Sequence, residues 1–326
     1  MRIPVFALAA ALASPAMAQM PVLTVYTYDS FVSDWGPGPQ VKAAFEATCG
    51  CTLNLVGVGD GAALLARLQL EGARSQADVV LGLDTNLTAA AEATGLFAPH
   101  SVSADYDLPV AWEDPLFVPF DWGYFAFVHD RDLASPPASF EELVASDLRI
   151  VIQDPRSSTP GLGLLMWVKA AYGERAAEIW EGLAPRVLTV TPGWSEAYGL
   201  FLNGEADMVL SYTTSPAYHL IAEKDDSKTA AIFSEGHYLQ VEVAGRLAAA
   251  PQPELAEQFL EFVVSDSFQA IIPETNWMYP ARIPAAGLAD GFGSLPQPER
   301  ALLFSAEEAA SLRGPALSEW LNALSR

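Results

Sequence analysis

The chain has 326 residues, 51% of them hydrophobic and 17% charged, and its 40 acidic and 17 basic residues give a net charge of −23. Length and apolar share suffice for two domains with sizeable buried cores. The acidic excess repels nucleic acid and anionic lipid and argues against nucleic acid as a partner; it is compatible with a cationic ligand, though solubility is the simpler explanation.

Arg2 precedes an apolar run at 3–13, followed by Ser14-Pro15 and Ala16-Met17-Ala18. A short positive start, a hydrophobic stretch and a small-x-small site predict a secretory signal at 1–18, cut after Ala18. The run is well short of the ~20 residues that span a bilayer. The expected new end is Gln19 rather than Cys, so no lipoprotein anchor is indicated. No later stretch reaches spanning length without a charge or a Pro. A soluble mature chain in the periplasm is expected.

Residues 23–28 (LTVYTY) alternate like a strand. The loop DWGPGP follows, and Pro39 suits the first turn of a helix carrying Val41, Ala44 and Phe45 on one face. Cys49 and Cys51 flank Gly50. In an oxidising compartment they can close a ring, although a Cys-x-Cys bridge is geometrically tense; a free-thiol reading stays open, and no further metal ligands are evident nearby. Residues 52–58 read as a second strand, ended by Gly59-Asp60-Gly61, with Asp60 placed to cap a helix over 62–71. The continuous apolar run 77–83 (ADVVLGL) predicts a buried parallel strand, and 85–94 a helix stopped by Gly95.

The alternation then breaks at the aromatic, extended run 117–128 (FVPFDWGYFAFV). It resumes with strand 149–153, helix 162–171, strand 187–190, helix 195–202 and strand 208–212. A second extended run spans 236–248; the remainder reads as helical at 254–265 and 306–324, with a break at Gly314-Pro315. Strands alternating with helices at this spacing predict an α/β fold with parallel sheets. QADVVL at 76–81 echoes EADMVL at 205–210, as two lobes of similar build or chance similarity of buried strands would produce. With the extended runs as crossing strands, the lobes are expected at 19–122 plus 238–326, and at 123–237.

In open α/β sheets ligands bind beyond the carboxyl ends of strands. Six turns there hold polar and aromatic residues: Tyr28 with Trp35 behind it, Asp60-Gly61, DPRSSTPG at 154–161, Gly193-Trp194-Ser195-Glu196, SYTTSPAY at 211–218, and Asn276-Trp277-Met278-Tyr279. In DPRSSTPG, a hydroxyl at Ser157, Ser158 or Thr159 precedes a helix start with Pro160, where free N–H groups bind anions or are simply capped. Arg156 would add charge. Thr213, Thr214, Ser215 and Pro216 repeat the pattern. Tyr28, Trp35, Trp194, Tyr212, Tyr218, Trp277 and Tyr279 offer flat faces to a heteroaromatic or cationic ligand, at ~0.5–2 kcal/mol per cation–π contact. Asp60 would complement a positive ring or accept from an amino group. Enzyme signals are weak: there is no G-x-S-x-G, H-E-x-x-H or Gly-rich nucleotide fingerprint, and His100, His129, His219 and His237 are scattered.

Taken in order, VLTVYTYDSF with DWGPGP, ADVVLGLD, VPFDWGYFAFV, QDPRSSTPGLGLL, GWSEAYGLFL, VLSYTTSPAYH, FSEGHYLQVEVA and NWMYP carry a resemblance along essentially the whole mature chain. The chain resembles the periplasmic thiamine-binding proteins of bacterial thiamine ABC importers. The resemblance implies a type II periplasmic-binding-protein fold, two α/β lobes joined by hinge strands that close over the ligand. It implies thiamine, thiamine monophosphate and thiamine diphosphate as ligands, an inner-membrane ABC permease as partner, a monomer, and no cofactor, metal or catalysis. Position by position, Asp60 and Gly61 match the contact to the aminopyrimidine end, and Ser158 and Thr159 the hydroxyl or phosphate end. Trp194, Tyr212, Thr213, Thr214 and Ser215 match further contacts; Tyr28, Trp35, Tyr218 and Trp277 sit at matching aromatic positions. Two other readings are weighed against it: a binder of iron or polyamine with the same fold, and a thiaminase-like enzyme, which needs a cysteine nucleophile.

Overall fold

A computed structural model describes residues 20–325. The predicted signal segment and its cleavage site lie outside the described residues. Among the described residues, nine strands of three or more residues build the body, β1 (Val22–Thr27), β2 (Thr52–Gly57), β3 (Val79–Asp84), β4 (Val118–Asp130), β5 (Ile150–Gln153), β6 (Val187–Thr191), β7 (Met208–Tyr212), β8 (Lys228–Ala230) and β9 (His237–Arg246), and two short ones, Tyr279–Pro280 and Ala301–Leu302, are added at β4 and β9. They run in the order β2-β1-β3-β9-β4-β7-β5-β6, with β8 paired to β4. The expected α/β architecture is therefore present.

Its logic is a repeat. β1 lies between β2 and β3, parallel to both, and β5 lies between β6 and β7, parallel to both. The sequence echo has a structural cause. Asp78, just before β3, accepts from the Thr24 N–H of β1 at 2.8 Å, and Asp207, just before β7, accepts from the Arg149 N–H beside β5 at 2.7 Å. Each acid fastens its strand to the middle strand of its own half. The two extended runs are the crossing strands. β4 pairs antiparallel with β9 through residues 118–124 and with β7 through 125–129, and β9 pairs antiparallel with β3.

Helices cover both faces, so β3 is buried at every position and β9 nearly so. One hydrophobic core links the halves through Phe125, Phe127, Trp167, Tyr238 and Leu239; a second surrounds Phe45, Phe120, Phe259 and Phe268. No helix among the described residues is long and apolar enough to cross a membrane.

The structure corrects several local expectations. The final helix, Ala306–Leu324, runs unbroken through Pro315. Its Ser305–Glu308 capping box fixes the start, and burial of Ala316, Trp320 and Ala323 beyond the proline outweighs the lost hydrogen bond. It packs against helices Ala176–Leu183, Thr159–Tyr172 and Thr88–Glu92, and Lys169 Nζ meets Glu319 at 2.7 Å. The helix expected over 85–94 is shorter, Thr88–Glu92, because Asn86 folds back onto the Asp84 carboxylate at 2.9 and 3.2 Å. Asp60 occupies the N-cap position of helix Gly61–Glu71, yet its side chain makes no capping bond. Cys49 and Cys51 are bonded to each other, which closes the free-thiol reading.

Candidate functional site

The carboxyl ends of β1, β2, β5, β6 and β7 face one another across a cleft of about 420 Å³, floored by the crossing strands. Tyr28, Trp35, Asp60, Thr159, Trp194, Tyr212, Ser215, Tyr218 and Trp277 line it, nine of the thirteen residues singled out above. Gly61, Ser158, Thr213 and Thr214 stand behind that surface.

One end of the cleft is a polar junction. The Gly61 N–H donates to Thr159 Oγ1 at 3.0 Å, and the Ala63 N–H to the Ser157 carbonyl at 3.2 Å. A Cβ on Gly61 would lie 2.7 Å from that hydroxyl and 2.8 Å from the Gly82 carbonyl, so only glycine allows this approach. Asp60 and Ser158 therefore belong to one cluster. Three helix starts converge there: Gly61–Glu71, Thr159–Tyr172 and Trp194–Leu202. None is capped by its own N-cap side chain; the Gly61, Ala63 and Trp194 N–H groups are taken up by Thr159, Ser157 and Asp60, and the remaining first-turn N–H groups are open to an anion. Burial pushes the Asp60 carboxyl up to about 6, opposed by the Ser158 hydroxyl and the Trp194 N–H. Neither Asp60 Oδ2 nor Ser158 Oγ completes a well-formed hydrogen bond. Arg156, expected to add charge here, is instead folded onto the Asp154 carboxylate at 2.9 and 3.1 Å and does not reach the cleft.

Aromatic walls rise from this junction. Trp194 stacks on Tyr198 at 5.0 Å and 26°, and its Nε1 donates to Ser211 Oγ at 2.8 Å. Tyr198, a cleft residue the sequence reading passed over, is held from behind by His219 Nε2 at 3.0 Å, and His219 Nδ1 by Glu223 at 2.7 Å. Trp35, 55% exposed on the opposite rim, faces Trp194 at 6.1 Å. Ser211 and Ser215 share a 2.6 Å hydrogen bond that closes the turn after β7. That turn aims Thr214 Oγ1 at the Met278 sulfur, 3.5 Å away, and buries Thr213 Oγ1 with no partner. At the far end Trp277, held at φ 56°, meets Tyr218 edge-on at 5.5 Å.

The floor carries charge that sequence reasoning missed. Glu242 of β9 lines the cleft; it accepts from the Tyr28 hydroxyl at 3.0 Å and from Gln240 at 2.8 Å. Asn276 donates to the Tyr28 oxygen at 2.8 Å and to Asp121 at 2.6 Å. Burial drives the Asp121 carboxyl to about 8, and burial followed by Asp121 raises Glu242 well above the usual carboxylate range. The available signal was an acid inside each extended apolar run, VEVA and PFDW, where an unpaired charge is rarely buried without purpose. Asp60, Glu242 and Glu274 line the cleft, and no Lys, Arg or His among the described residues does.

Comparison with known proteins agrees with this architecture. The chain is 59% identical over 310 residues to the thiamine-binding periplasmic protein of Escherichia coli K12, covering 94% of each. It is 52% identical to that of Brucella abortus, covering 96% of this chain and 95% of the relative. A solved periplasmic thiamin binding protein superposes with a TM-score of 0.92 at 57% identity, covering 95% of this chain and 98% of that one. Residues 37–270 match the family described as bacterial extracellular solute-binding protein, and the chain belongs to that family.

Proposed function

We propose that this protein is the periplasmic solute-binding component of a thiamine importer, a monomer that captures thiamine, its monophosphate and its diphosphate and delivers them to an inner-membrane ABC permease. The observation that carries the reading is the cleft lining, flat aromatic faces and three carboxyls with no base. A thiazolium is a permanent cation on a flat ring, suited to such faces and charges. The names of the relatives support the same ligand over iron or polyamine.

Because Asp60–Gly61 and Ser158–Thr159 touch, we assign both to the hydroxyl or phosphate end, where three helix starts meet. Trp194, Tyr212 and Ser215 extend that end, with Thr213 and Thr214 shaping the turn from behind. The rings then lie toward Tyr28, Tyr218 and Trp277, above Glu242, and Trp35 covers the mouth. The proposed lobes are 19–122 with 238–326 and 123–237, the last helix lying against both. Closure follows from the ligand's preference for the closed arrangement.

Calorimetric titration with thiamine, its two phosphates, Fe³⁺ and spermidine tests the reading. Saturable one-to-one binding of thiamine compounds alone is expected; tighter binding of Fe³⁺ or spermidine would overturn it. Both cysteines are disulfide-bonded and neither lines the cleft, which leaves a thiaminase-like reaction without its thiol. Intact thiamine should be recovered after incubation with a nucleophile.

A further inference from the structure

Three buried acids lie side by side under the cleft. In register, Asp84 of β3 pairs with Glu242 of β9, and Glu242 pairs with Asp121 of β4. Direct cross-strand partners point to the same face, and like charges there repel. The strands are shaped to make the row. β3 is irregular between Leu81 and Leu83, and β4 between Pro119 and Asp121, immediately before each flanking acid. Bulges at such positions re-aim side chains.

The groups facing Glu242 do not neutralise it. From the turn after β1 comes the Tyr28 hydroxyl, from β3 Asp84, from β4 Asp121, from the turn after β2 Asp60, and from β7 Tyr212. Gln240 and Asn276 supply only neutral hydrogen bonds. Among the described residues the base acting on the row is Arg313, behind Asp84. Further acceptors wait unfilled: Asp121 Oδ1 and Gln240 Oε1 are buried without partners, and so is Oδ2 of Asp60 at the cleft wall. Two ionised carboxyls side by side in such a place need either a proton or a cation.

We infer that the Asp84–Glu242–Asp121 row is the counter-charge for the ligand's cationic ring, holding a proton while the cleft is empty and releasing it to solvent when the cation enters. This rests on the reading that the ligand is a thiamine compound. The exchange keeps the buried charge nearly constant, so the empty protein is spared two adjacent anions and the occupied one gains an ion pair. It also makes the row a specificity determinant, because a neutral ring of the same shape cannot displace the proton. Burial raises the Asp121 and Glu242 carboxyls well above the usual carboxylate range in the empty cleft. Proton release should therefore raise thiamine affinity as pH rises, until the row is ionised in the empty protein as well.

The test is titration calorimetry of the full protein in two buffers of different ionisation enthalpy, with thiamine and with its neutral thiophene analogue. Release of about one proton per thiamine near pH 6.5, and of none with the analogue, is expected. Glu242→Gln should abolish the release and weaken thiamine about tenfold or more, leaving the analogue within about twofold. Asp121→Asn should likewise reduce the release, and the wild-type measurement stands without either variant. Tight thiamine binding with no proton exchange, or equal losses for both ligands in Glu242→Gln, overturns the inference while leaving the function intact. Failure of the wild type to bind thiamine at all overturns the functional reading and this inference together.

Discussion

Asp60 shows how a single residue is held ready at a cost. Its folded value, about 6, lies above the ordinary 3.8, so between those pH values the folded chain binds more protons than the unfolded one. The penalty is absent below the lower value, grows between them and is complete above about 6. Asp60→Asn should therefore stabilise the empty protein at pH 7 by roughly 1–3 kcal/mol, with the gain vanishing near pH 4, while weakening thiamine about tenfold or more. Thermal melts across pH, paired with titrations, check both halves. Trp194 carries the opposite balance, since its ring is fixed by Tyr198 and by Ser211. Trp194→Ala should weaken thiamine by about 1–3 kcal/mol, and unchanged affinity would show that the aromatic wall is misassigned. The aromatic and hydroxyl turns around these residues were legible in the sequence because their composition is local. The placement of each side chain was not: Thr213 and Thr214 share the motif of Ser215 yet do not line the cleft.

At the scale of elements, the same contrast separates strands from their irregularities. Apolar runs identified β3, β4 and β9, but nothing in those runs marked where the ladders slip. Gly82 explains one slip, since at φ 109° a Cβ would lie 2.3 Å from the Tyr28 ring. The bulge thus lets a site aromatic pack directly on the backbone. The last helix is the reverse case, where a local breaker is overruled. Pro315 is solvent-exposed within Ala306–Leu324, so its burial contributes nothing while its missing N–H breaks a helical bond. Pro315→Ala should raise stability by about 1–3 kcal/mol, read as a higher denaturation midpoint with an unchanged slope.

For the whole molecule, the two parallel halves meet through the long antiparallel strands, a shared hydrophobic core, the last helix, and contacts such as Gly61–Thr159 across the cleft. Ligand binding stabilises the folded, closed arrangement by mass action. Thiamine at about a hundredfold above its Kd should add ~2.7 kcal/mol of stability, raising Tm by about 4 °C. Small-angle scattering should show the radius of gyration fall on addition; equal values with and without ligand would argue against closure.

Hydrophobic periodicity, turn chemistry and the ordered motifs by themselves determined the α/β class, the crossing strands, the family and most of the cleft's aromatic and hydroxyl residues. Those are local properties, written within a few residues of one another. Only the tertiary structure decided which turns touch, that Asp60 and Ser158 share one cluster, and that acids at positions 84, 121 and 242 stand in a single row. Strand register is set between segments far apart in the chain, and a slip of one residue would have turned each acid to the opposite face.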